Sequence, residues 1–315
     1  MHTELPSEIE IKIPGSIANL GPGFDTLAVA VQLYLRLKAR LLEGENELQF
    51  HFVNGPLDGE NFIERAFRFL ARQRGGCFPS LAIEVHTEIP MKAGLGSSAA
   101  ATVAGLRLYE AISGPLPLEG LLNAACALEA HPDNVSAALL GGLTISCQMS
   151  DRSAFALRRR WPEALRFVVL TPEVRLATAE ARNVLPQRVL REDAIFNLQR
   201  VALLLEALQS GEFVLLREAL HDRLHQPFRQ HLVPGLEAVL ALEHPDLLGV
   251  CLSGAGPSVV ALAYQEKTES VAALLRETFL PLQIPFTIRT LSAHQESCQP
   301  ISVCDPCQAM PAERL

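Results

Sequence analysis

The sequence predicts an α+β fold arranged as two domains, and three observations support this prediction. The chain has 315 residues, which is about the length of two ordinary domains. Hydrophobic residues make up 49% of the chain and charged residues 20%, so there are enough apolar side chains for a buried core. The second half has the pattern strand, helices, strand, strand, helix, strand, which favours an antiparallel sheet over a doubly wound one.

Apolar periodicity predicts the elements of the first half. Apolar and polar residues alternate over 9–13, which indicates a half-buried strand, and the glycines and prolines of 14–25 then predict a loop. The other predicted strands of this half are 27–41, 47–53, 81–88 and Leu143–Cys147. The predicted helices are 61–73, Ser97–Ile112 and 118–130.

A polar, arginine-rich stretch over 150–163 is the expected boundary between the domains. We place the first domain at 1–155, the second at 156–295 and a tail at 296–315. In the second domain the predicted strands are Phe167–Leu170, 247–252, 257–264 and 285–290, and the predicted helices are 177–184, 193–209, 212–223 and 268–279. The residues expected to line the buried face of the helix over 193–209 are Ile195, Leu198, Ala202, Leu205 and Leu208.

Charge and hydropathy exclude several classes of protein. The formal net charge of −8 argues against a nucleic-acid-binding protein, because a phosphate backbone requires a dense basic surface. No apolar run reaches the ~18 residues that span a bilayer. The first residues are polar and acidic rather than signal-like, so we expect a cytoplasmic protein with no membrane partner.

The cysteines favour reduced thiols, because there are seven of them scattered along the chain. Cys304 and Cys307 have the C-x-x-C spacing of a zinc site. Such a site would also need Cys298 and a fourth ligand such as His294. A loosely ordered, proline-containing tail is the simpler interpretation.

A glycine-rich segment between a predicted strand and a predicted helix is the strongest functional signal. Glycines let a backbone approach an anion closely, and the free N–H groups of a first helical turn point toward it. The segment matches neither the Walker pattern nor G-x-G-x-x-G, so we expect a nucleotide phosphate site of a third kind. Its residues are Pro90, Met91, Lys92, Ala93, Gly94, Leu95, Gly96, Ser97, Ser98, Ala99 and Ala100.

Three further groups of polar residues could bind ligands, and each also has an ordinary structural explanation. Glu129, followed by His131, Asp133 and Asn134, could hold Mg²⁺ or simply end a helix. Asn19 and Asp25 could recognise an ammonium or hydroxyl group or only shape a turn. Arg182 and Arg229 could grip a carboxylate or form surface ion pairs.

Taken together, these segments resemble the three motifs of the GHMP kinase family, in order and over nearly the whole chain to about residue 290. The motifs are Ile13–Asp25, Pro90–Ala100 and Leu252–Ser258. Within the family, the segments most similar to the homoserine kinase branch are Ala18–Asp25, Glu129–Asn134, Ala181–Pro186 and Asp222–Arg229. Three positions depart from the usual pattern, namely Gly15 for alanine, Ala130 for glycine and Phe228 for tyrosine.

The resemblance implies a fold, an activity and partners. The first domain would resemble domain 2 of ribosomal protein S5, and the second would be ferredoxin-like. ATP and L-homoserine would meet between them, and the product would be O-phospho-L-homoserine, a precursor in threonine biosynthesis. Members of this branch are often dimers, so a homodimer is a further expectation.

The resemblance also implies residue roles. Residues 90–100 would wrap the ATP phosphates, and Ser98 and Glu129 would hold Mg²⁺. Asp25, Glu129 and Ser98 would form the catalytic set, with Asp25 expected to bind the acceptor rather than act as a base. The residues expected to bind homoserine, with Thr178 on the phosphate side, are Asn19, Asp25, His131, Asn134, Thr178, Arg182 and Arg229.

Two other functions stay open. One is a kinase of the same family that acts on another small hydroxylated acceptor, such as mevalonate or shikimate. The other is a nucleotide-binding or regulatory relative that has lost catalysis. The presence of Glu129, the loop serines and both arginines argues against the second alternative.

Overall fold

A computed structural model of the chain describes residues 8–55, 59–174 and 176–299 and the backbone of 301–303. Its strands are β1 (Glu8–Ala18), β2 (Leu27–Glu45), β3 (Leu48–Phe52), β4 (Pro79–Thr87), β5 (Leu143–Gln148), β6 (Ala154–Arg159), β7 (Leu165–Pro172), β8 (Gly249–Leu252), β9 (Val259–Tyr264), β10 (Phe286–Leu291) and β11 (Ile301–Val303). Its α-helices are α1 (Phe62–Gln73), α2 (Ser97–Ser113), α3 (Leu118–Glu129), α4 (Asp133–Leu140), α5 (Thr178–Asn183), α6 (Arg191–Ser210), α7 (Leu216–Ala219), α8 (Gln226–Arg229), α9 (Leu236–Leu240) and α10 (Thr268–Phe279). The α+β prediction is confirmed.

The first sheet has the strand order β11-β1-β2-β4-β3, and β5 and β6 extend it from the other end of β2. Its pairs are antiparallel except for β3 and β4. Strand β1 continues to Ala18, so the predicted loop over 14–25 was placed too early. The strand continues because residues 15–18 pair with 28–31 of β2 after an irregularity between Pro14 and Gly15.

Strand β6 was not predicted, and it moves the boundary between the sheets. It pairs only with β5, so it is an edge strand with exposed side chains that include Arg158 and Arg159. This exposure explains why the stretch looks like a polar linker in the sequence. The predicted division between residues 155 and 156 therefore cuts a strand, and a division between Arg159 and Leu165 follows the two sheets.

The segment after β10 returns to the first sheet, since β11 pairs antiparallel with β1. The predicted loose tail therefore begins with an ordered stretch. Cys298 is buried, with its Sγ 3.6 Å from Nε2 of His294. Among the described residues no group of three or more His, Cys, Asp or Glu side chains could hold a metal ion, and Cys304 and Cys307 lie outside them.

The second sheet has the order β10-β7-β9-β8, and all its neighbours are antiparallel. Numbered within this domain the order is 4-1-3-2, with helices between the first two strands and between the last two. This is the ferredoxin-like arrangement. The helix predicted over 268–279 is confirmed as α10. The helix predicted over 212–223 is wrong beyond Ala219, where a turn held by Asp222 begins.

Helix α6 buries a different face from the one predicted. Ile195 and Leu198 are 47% and 71% exposed, and Ala202 is also exposed. Leu208 is buried as expected, beside Leu204 and the polar Asn197. The apolar pattern was misleading because the inward face carries an amide that hydrogen-bonds to neighbouring loops.

One apolar core joins the two sheets. It contains side chains from both, such as Ile11 and Leu35 of the first sheet and Phe167 and Leu262 of the second. In the part of the chain that the structure describes, no helix is long and apolar enough to cross a bilayer. The two sheets therefore place the motif loops of both halves around one shared region.

Candidate active site

The glycine loop connects β4 to the N-terminus of α2, as predicted. Gly94 and Gly96 have φ values of 75° and 74°, which favour glycine strongly over other residues. Helix α2 has no side-chain cap and no acidic residue in its first turn. The amides of its first turn have no intrahelical acceptor, and with 17 residues the helix has a substantial dipole. This end of α2 is suited to bind an anion.

The other two motifs hold this loop in place. Ser253 Oγ donates to the Gly94 carbonyl at 2.7 Å, and the Ser258 amide donates to the Ala93 carbonyl at 3.2 Å. From the other side, the Ser16 amide donates to the Leu95 carbonyl at 3.0 Å. A Cβ at Gly94 would collide with the Ser253 carbonyl. The three motifs are therefore parts of one structure, although they are distant in the sequence.

Ser98 and Glu129 lie together, as predicted. Ser98 Oγ and Thr102 Oγ1 each donate to Glu129 Oε1 at 2.8 Å. None of the described residues donates a hydrogen bond to the second carboxylate oxygen, Glu129 Oε2, so this oxygen is available to a ligand. A carboxylate and a hydroxyl at the end of a phosphate-binding loop fit Mg²⁺, which takes hard oxygen ligands and binds through few carboxylates plus phosphate and water.

Two neighbours of Glu129 were not predicted. Besides Thr102, Arg65 of α1 places its Nη2 3.7 Å from Glu129 Oε1 and donates to the Leu128 carbonyl at 2.9 Å. Arg65 therefore fixes the C-terminus of α3 and offsets part of the carboxylate charge. The sequence contains no signal for this contact beyond an arginine on a predicted helix.

On the acceptor side, Asp25 and Arg182 form a bidentate ion pair. Arg182 Nη2 and Nη1 donate to the two oxygens of Asp25 at 2.6 and 3.1 Å. Both side chains are about one third exposed, so a ligand can reach the pair from solvent. The Arg182 Nε is buried and has no hydrogen-bond partner among the described residues.

Asn19 shapes the loop that presents Asp25. Its Oδ1 accepts from the Asp25 amide at 3.1 Å, and its Nδ2 donates to the Gly254 carbonyl at 3.0 Å. Asn19 and Asp25 both have positive φ, and Asn19 is buried. Asn19 thus joins the first motif to the third, and its amide is already occupied by protein groups.

Arg229 lies at the base of the same cluster and is 1% exposed. Its Nε donates to the Ala181 carbonyl at 2.9 Å, and its Nη1 donates to the Gly254 carbonyl at 3.0 Å. Burial, with a smaller effect of the nearby Arg182, lowers the pKa of Arg229 to about 10, so it stays cationic at neutral pH. Among the described residues none accepts from its Nη2.

Phe24 lies between the two arginines and was not predicted as a site residue. The guanidinium carbons of Arg182 and Arg229 are 5.5 and 5.4 Å from its ring centroid. The ring also stacks on His225 with a centroid distance of 5.1 Å. A π face of this kind attracts cations and brings two like charges close together.

The turn between α3 and α4 carries three more polar residues. His131 and Asn134 were predicted to bind the acceptor, and Asp133 lies between them. Burial, and then the Arg182 charge, lower the pKa of His131. Burial raises the pKa of Asp133 to about 6. Asn134 Oδ1 accepts from Ser16 Oγ at 2.7 Å. Asn134 therefore contacts the first motif next to the glycine loop.

Thr178 is the predicted residue that the structure connects least with the site. It is exposed and begins α5, four residues before Arg182, so both residues lie on one side of this helix. No hydrogen bond joins its side chain to another described residue.

Two family models match the chain, one in each half. A model described as GHMP kinases N terminal domain matches residues 61–142, and one described as GHMP kinases C terminal matches 204–279. A homoserine kinase of Solibacter usitatus is 39% identical over 282 residues, which cover 87% of this chain and 90% of the relative. One of Moorella thermoacetica is 38% identical over 291 residues, covering 90% of this chain and 96% of the relative.

Solved structures show the same similarity. A homoserine kinase from Cytophaga hutchinsonii has a TM-score of 0.83 and 25% identity, covering 96% of this chain and 99% of that one. A mevalonate kinase of L. major in complex with R-mevalonate has a TM-score of 0.70 at 17% identity, covering 94% and 99%, and this match concerns the fold alone. The chain therefore belongs to the GHMP kinase family, and its similarity to homoserine kinases extends over both domains.

Proposed function

We propose that the chain transfers the γ-phosphoryl group of ATP to the side-chain hydroxyl of L-homoserine, giving O-phospho-L-homoserine for threonine biosynthesis. The observation that carries this proposal is the Asp25–Arg182 ion pair, which faces the cleft beside the anion-binding end of α2. A carboxylate next to a guanidinium is complementary to an ammonium next to a carboxylate, which is the head group of an amino acid.

On the nucleotide side, the backbone of residues 90–100 receives the phosphates. The free amides at the start of α2 would donate to the phosphate oxygens, and the left-handed backbone of Gly94 and Gly96 lets the loop pack closely against Ser253 and Ser16. Phosphoryl transfer depends chiefly on positioning and on neutralising the charge of the transferred group. The amides and the helix dipole contribute to both.

Ser98 and Glu129 are the residues that would hold Mg²⁺, which when bound would neutralise phosphate charge. Thr102 and Arg65 orient the Glu129 carboxylate from the protein side. We assign Glu129 Oε2 and Ser98 Oγ as the ligand atoms. Glu129 Oε2 accepts no hydrogen bond from a described residue, and Ser98 Oγ keeps its lone pairs free while it donates its hydrogen to Glu129 Oε1. Glu129→Gln should raise the Mg²⁺ concentration needed for nucleotide binding, measured by thermal shift with ADP.

On the acceptor side, the amino acid's carboxylate would bind Arg182 and the free Nη2 of Arg229, and its ammonium would bind Asp25. We place His131 next to this cluster, where burial and then the Arg182 charge lower its pKa and so favour the neutral ring. These contacts direct the side-chain hydroxyl toward the glycine loop. Thr178, on the same side of α5 as Arg182, is proposed to line the phosphate end of the acceptor.

In the transfer, the homoserine hydroxyl oxygen forms a bond to the γ-phosphorus while the bond to the bridging oxygen of ADP breaks. The hydroxyl proton leaves to a phosphate oxygen or to solvent. Asp25 is not assigned as the base, because both of its oxygens accept hydrogen bonds from Arg182. A loose transition state does not require strong deprotonation of the attacking alcohol.

A coupled ADP-release assay tests the proposal. With Mg-ATP, we expect turnover on L-homoserine and none above background on mevalonate, shikimate or galactose. Turnover on one of the other acceptors would keep the kinase but contradict the acceptor assignment. Nucleotide binding without turnover on any acceptor would favour the regulatory relative.

Two further expectations are part of the proposal. The resemblance to the homoserine kinase branch supports a homodimer and a cytoplasmic location. Light scattering at micromolar concentration should give twice the chain mass of 34.3 kDa. A mass equal to one chain over the whole concentration range would exclude the dimer.

A further inference from the structure

The environment of Arg229 contains a buried histidine that the proposed mechanism does not use. His225 is fully buried, and its two ring nitrogens have different partners. Nε2 lies 2.7 Å from the Gly21 carbonyl oxygen of the acceptor loop. Nδ1 lies 3.1 Å from Nη1 of Arg229. The ring therefore connects the loop that carries Asp25 to the arginine at the base of the cluster.

These partners determine where the ring proton lies. A carbonyl oxygen can only accept a hydrogen bond, so Nε2 must carry the hydrogen. A guanidinium can only donate, so Nδ1 must be the acceptor. The only form that satisfies both contacts is the neutral Nε2–H tautomer, because an imidazolium would direct an N–H at the guanidinium.

The charged groups around the ring are consistent with this form. Burial and the Arg229 charge lower the pKa of His225, whereas Asp222 raises it. The Asp222 carboxylate is mainly engaged by the backbone, since it accepts from the amides of Leu224, His225 and Gln226 at 2.7–2.9 Å. Asn197 of α6 also donates to it at 2.7 Å.

The same hydrogen bonds to Asp222 fix the backbone that carries the His225 ring. The amides of Leu224, His225 and Gln226 donate to the Asp222 carboxylate and so close a tight turn over 222–226, and Gln226 Oε1 accepts from the Leu252 amide at 2.7 Å. The turn is thus tied to α6 on one side and to the third motif on the other. The His225 ring has little freedom to move away from Arg229.

We infer that His225 is a positioning residue for the acceptor site, which holds the Arg229 guanidinium by accepting from Nη1 and so presents Nη2 to the carboxylate of the acceptor. The inference rests on the proposed role of Arg229 in binding that carboxylate. This role requires the neutral Nε2–H tautomer of His225, so a side chain of the same volume without that hydrogen-bonding pattern would not fulfil it.

Two substitutions separate the functions of the two ring nitrogens. In His225→Asn the amide oxygen takes the place of Nδ1, so Arg229 keeps its acceptor and the contact to Gly21 is lost. In His225→Gln the amide nitrogen takes the place of Nε2, so the contact to Gly21 is kept, and Arg229 Nη1 loses its side-chain acceptor while it keeps the Gly254 carbonyl. Each variant therefore serves as the control for the other.

We expect His225→Gln to raise the KM for homoserine about 10-fold or more, the scale of one lost hydrogen bond to a charged group. Its kcat and its KM for ATP should change less than about threefold, because the lost contact concerns acceptor binding. His225→Asn should keep the KM for homoserine within about threefold of the wild-type value. Equal KM values for the two variants, or a parallel loss of kcat and both KM values, would overturn the inference.

A second measurement does not depend on turnover. Long-range ¹H–¹⁵N correlation spectra of protein labelled in histidine report the tautomer of each ring, and the resonance absent from His225→Gln identifies His225. We expect the neutral Nε2–H pattern at pH 7, and an Nδ1–H or imidazolium pattern would contradict the inference. If the wild-type protein failed to phosphorylate homoserine, the proposed function would fall, and this spectrum would still decide the His225–Arg229 contact.

Discussion

At the scale of single residues, the site is a set of charges arranged to match an amino acid. Asp25 and Arg182 present opposite charges to the cleft, and Arg229 adds a second cation below them. The Phe24 ring presents a π face to both guanidinium groups, and the neutral His225 ring accepts a hydrogen bond from Arg229. These two contacts allow the guanidinium groups to lie close together.

Asp25→Asn tests the role of the carboxylate in this arrangement. The variant keeps the shape of the side chain and removes the charge that would bind the ammonium group. We expect the KM for homoserine to rise more than kcat falls, by ~10-fold or more, in steady-state kinetics with saturating Mg-ATP. A collapsed kcat at unchanged KM would instead assign Asp25 as the base.

Asp133 should make the stability of the protein depend on pH. Burial raises its pKa from 3.8 to about 6 in the folded state. Well below pH 4 the group is protonated in both states. Between about pH 4 and pH 6 the unfolded chain loses this proton while the folded protein retains it, so folding stability falls over this window, by on the order of 2–3 kcal/mol, and this contribution does not change further above pH 6.

Asp133→Asn should remove this dependence, because the amide keeps an acceptor for the Asn134 amide and carries no charge. In denaturant titrations, the variant should become more stable than the wild type as the pH rises from about 4 to about 7. Glu206→Gln, at an exposed position of α6, is the control and should show no such change. A constant difference between Asp133→Asn and wild type would contradict the prediction.

At the scale of elements, the sequence predicted strands and helices well where one face is apolar and one is polar. The patterns of β2, α1 and α10 are of this kind. It failed where a polar residue is buried for its hydrogen bonds, as Asn197 is in α6, because periodicity ranks positions by hydropathy alone. It also failed for β6, since an edge strand with exposed side chains resembles a linker.

The residues of the site also differ in how well the sequence predicts them. The motif residues Ser98, Glu129, Asp25 and Arg182 were all predicted, because glycine loops and clustered polar groups leave a local pattern. Contacts between distant segments leave none. Arg65 reaches Glu129 across 64 residues of sequence, because α1 packs against both α2 and α3.

The end of α3 gives a prediction about an element boundary. Ala130 is its C-cap with a φ of 68°, where the family usually has glycine. A non-glycine residue in this left-handed region costs roughly 1–2 kcal/mol, partly offset by the greater unfolded-state freedom of glycine. Ala130→Gly should therefore raise the free energy of unfolding by up to about 1 kcal/mol in chemical denaturation.

The control is Ala127→Gly, at an exposed position inside the same helix. It should lower the stability by about 0.5–1 kcal/mol, because glycine is unfavourable in a helix interior. If both substitutions destabilised the protein equally, the strain at Ala130 would be refuted.

At the scale of the whole molecule, the two sheets are parts of one cooperative structure. Their apolar residues form a common core, and hydrogen bonds between the halves converge on the site. The Gly254 amide donates to the Ala18 carbonyl at 3.1 Å, and Ser253 and His225 hold Gly94 and Gly21. Ligands that bind between the halves should therefore stabilise the entire chain.

Calorimetry should then show a single unfolding transition that both Mg-ATP and homoserine shift upward. A shared core makes it costly to unfold one sheet and leave the other. Two resolved transitions, with only one of them sensitive to the ligands, would show that the domains unfold independently.

The central claim is that the acceptor site recognises the charged head group of an amino acid, and truncated acceptors test it most directly. We would measure kcat/KM for L-homoserine, for 4-hydroxybutyrate, which lacks the ammonium group, and for 3-aminopropanol, which lacks the carboxylate. We expect each truncated acceptor to be poorer by ~100-fold or more, because a site built for both charges leaves one unpaired. Comparable kcat/KM values for homoserine and either analogue would contradict the account.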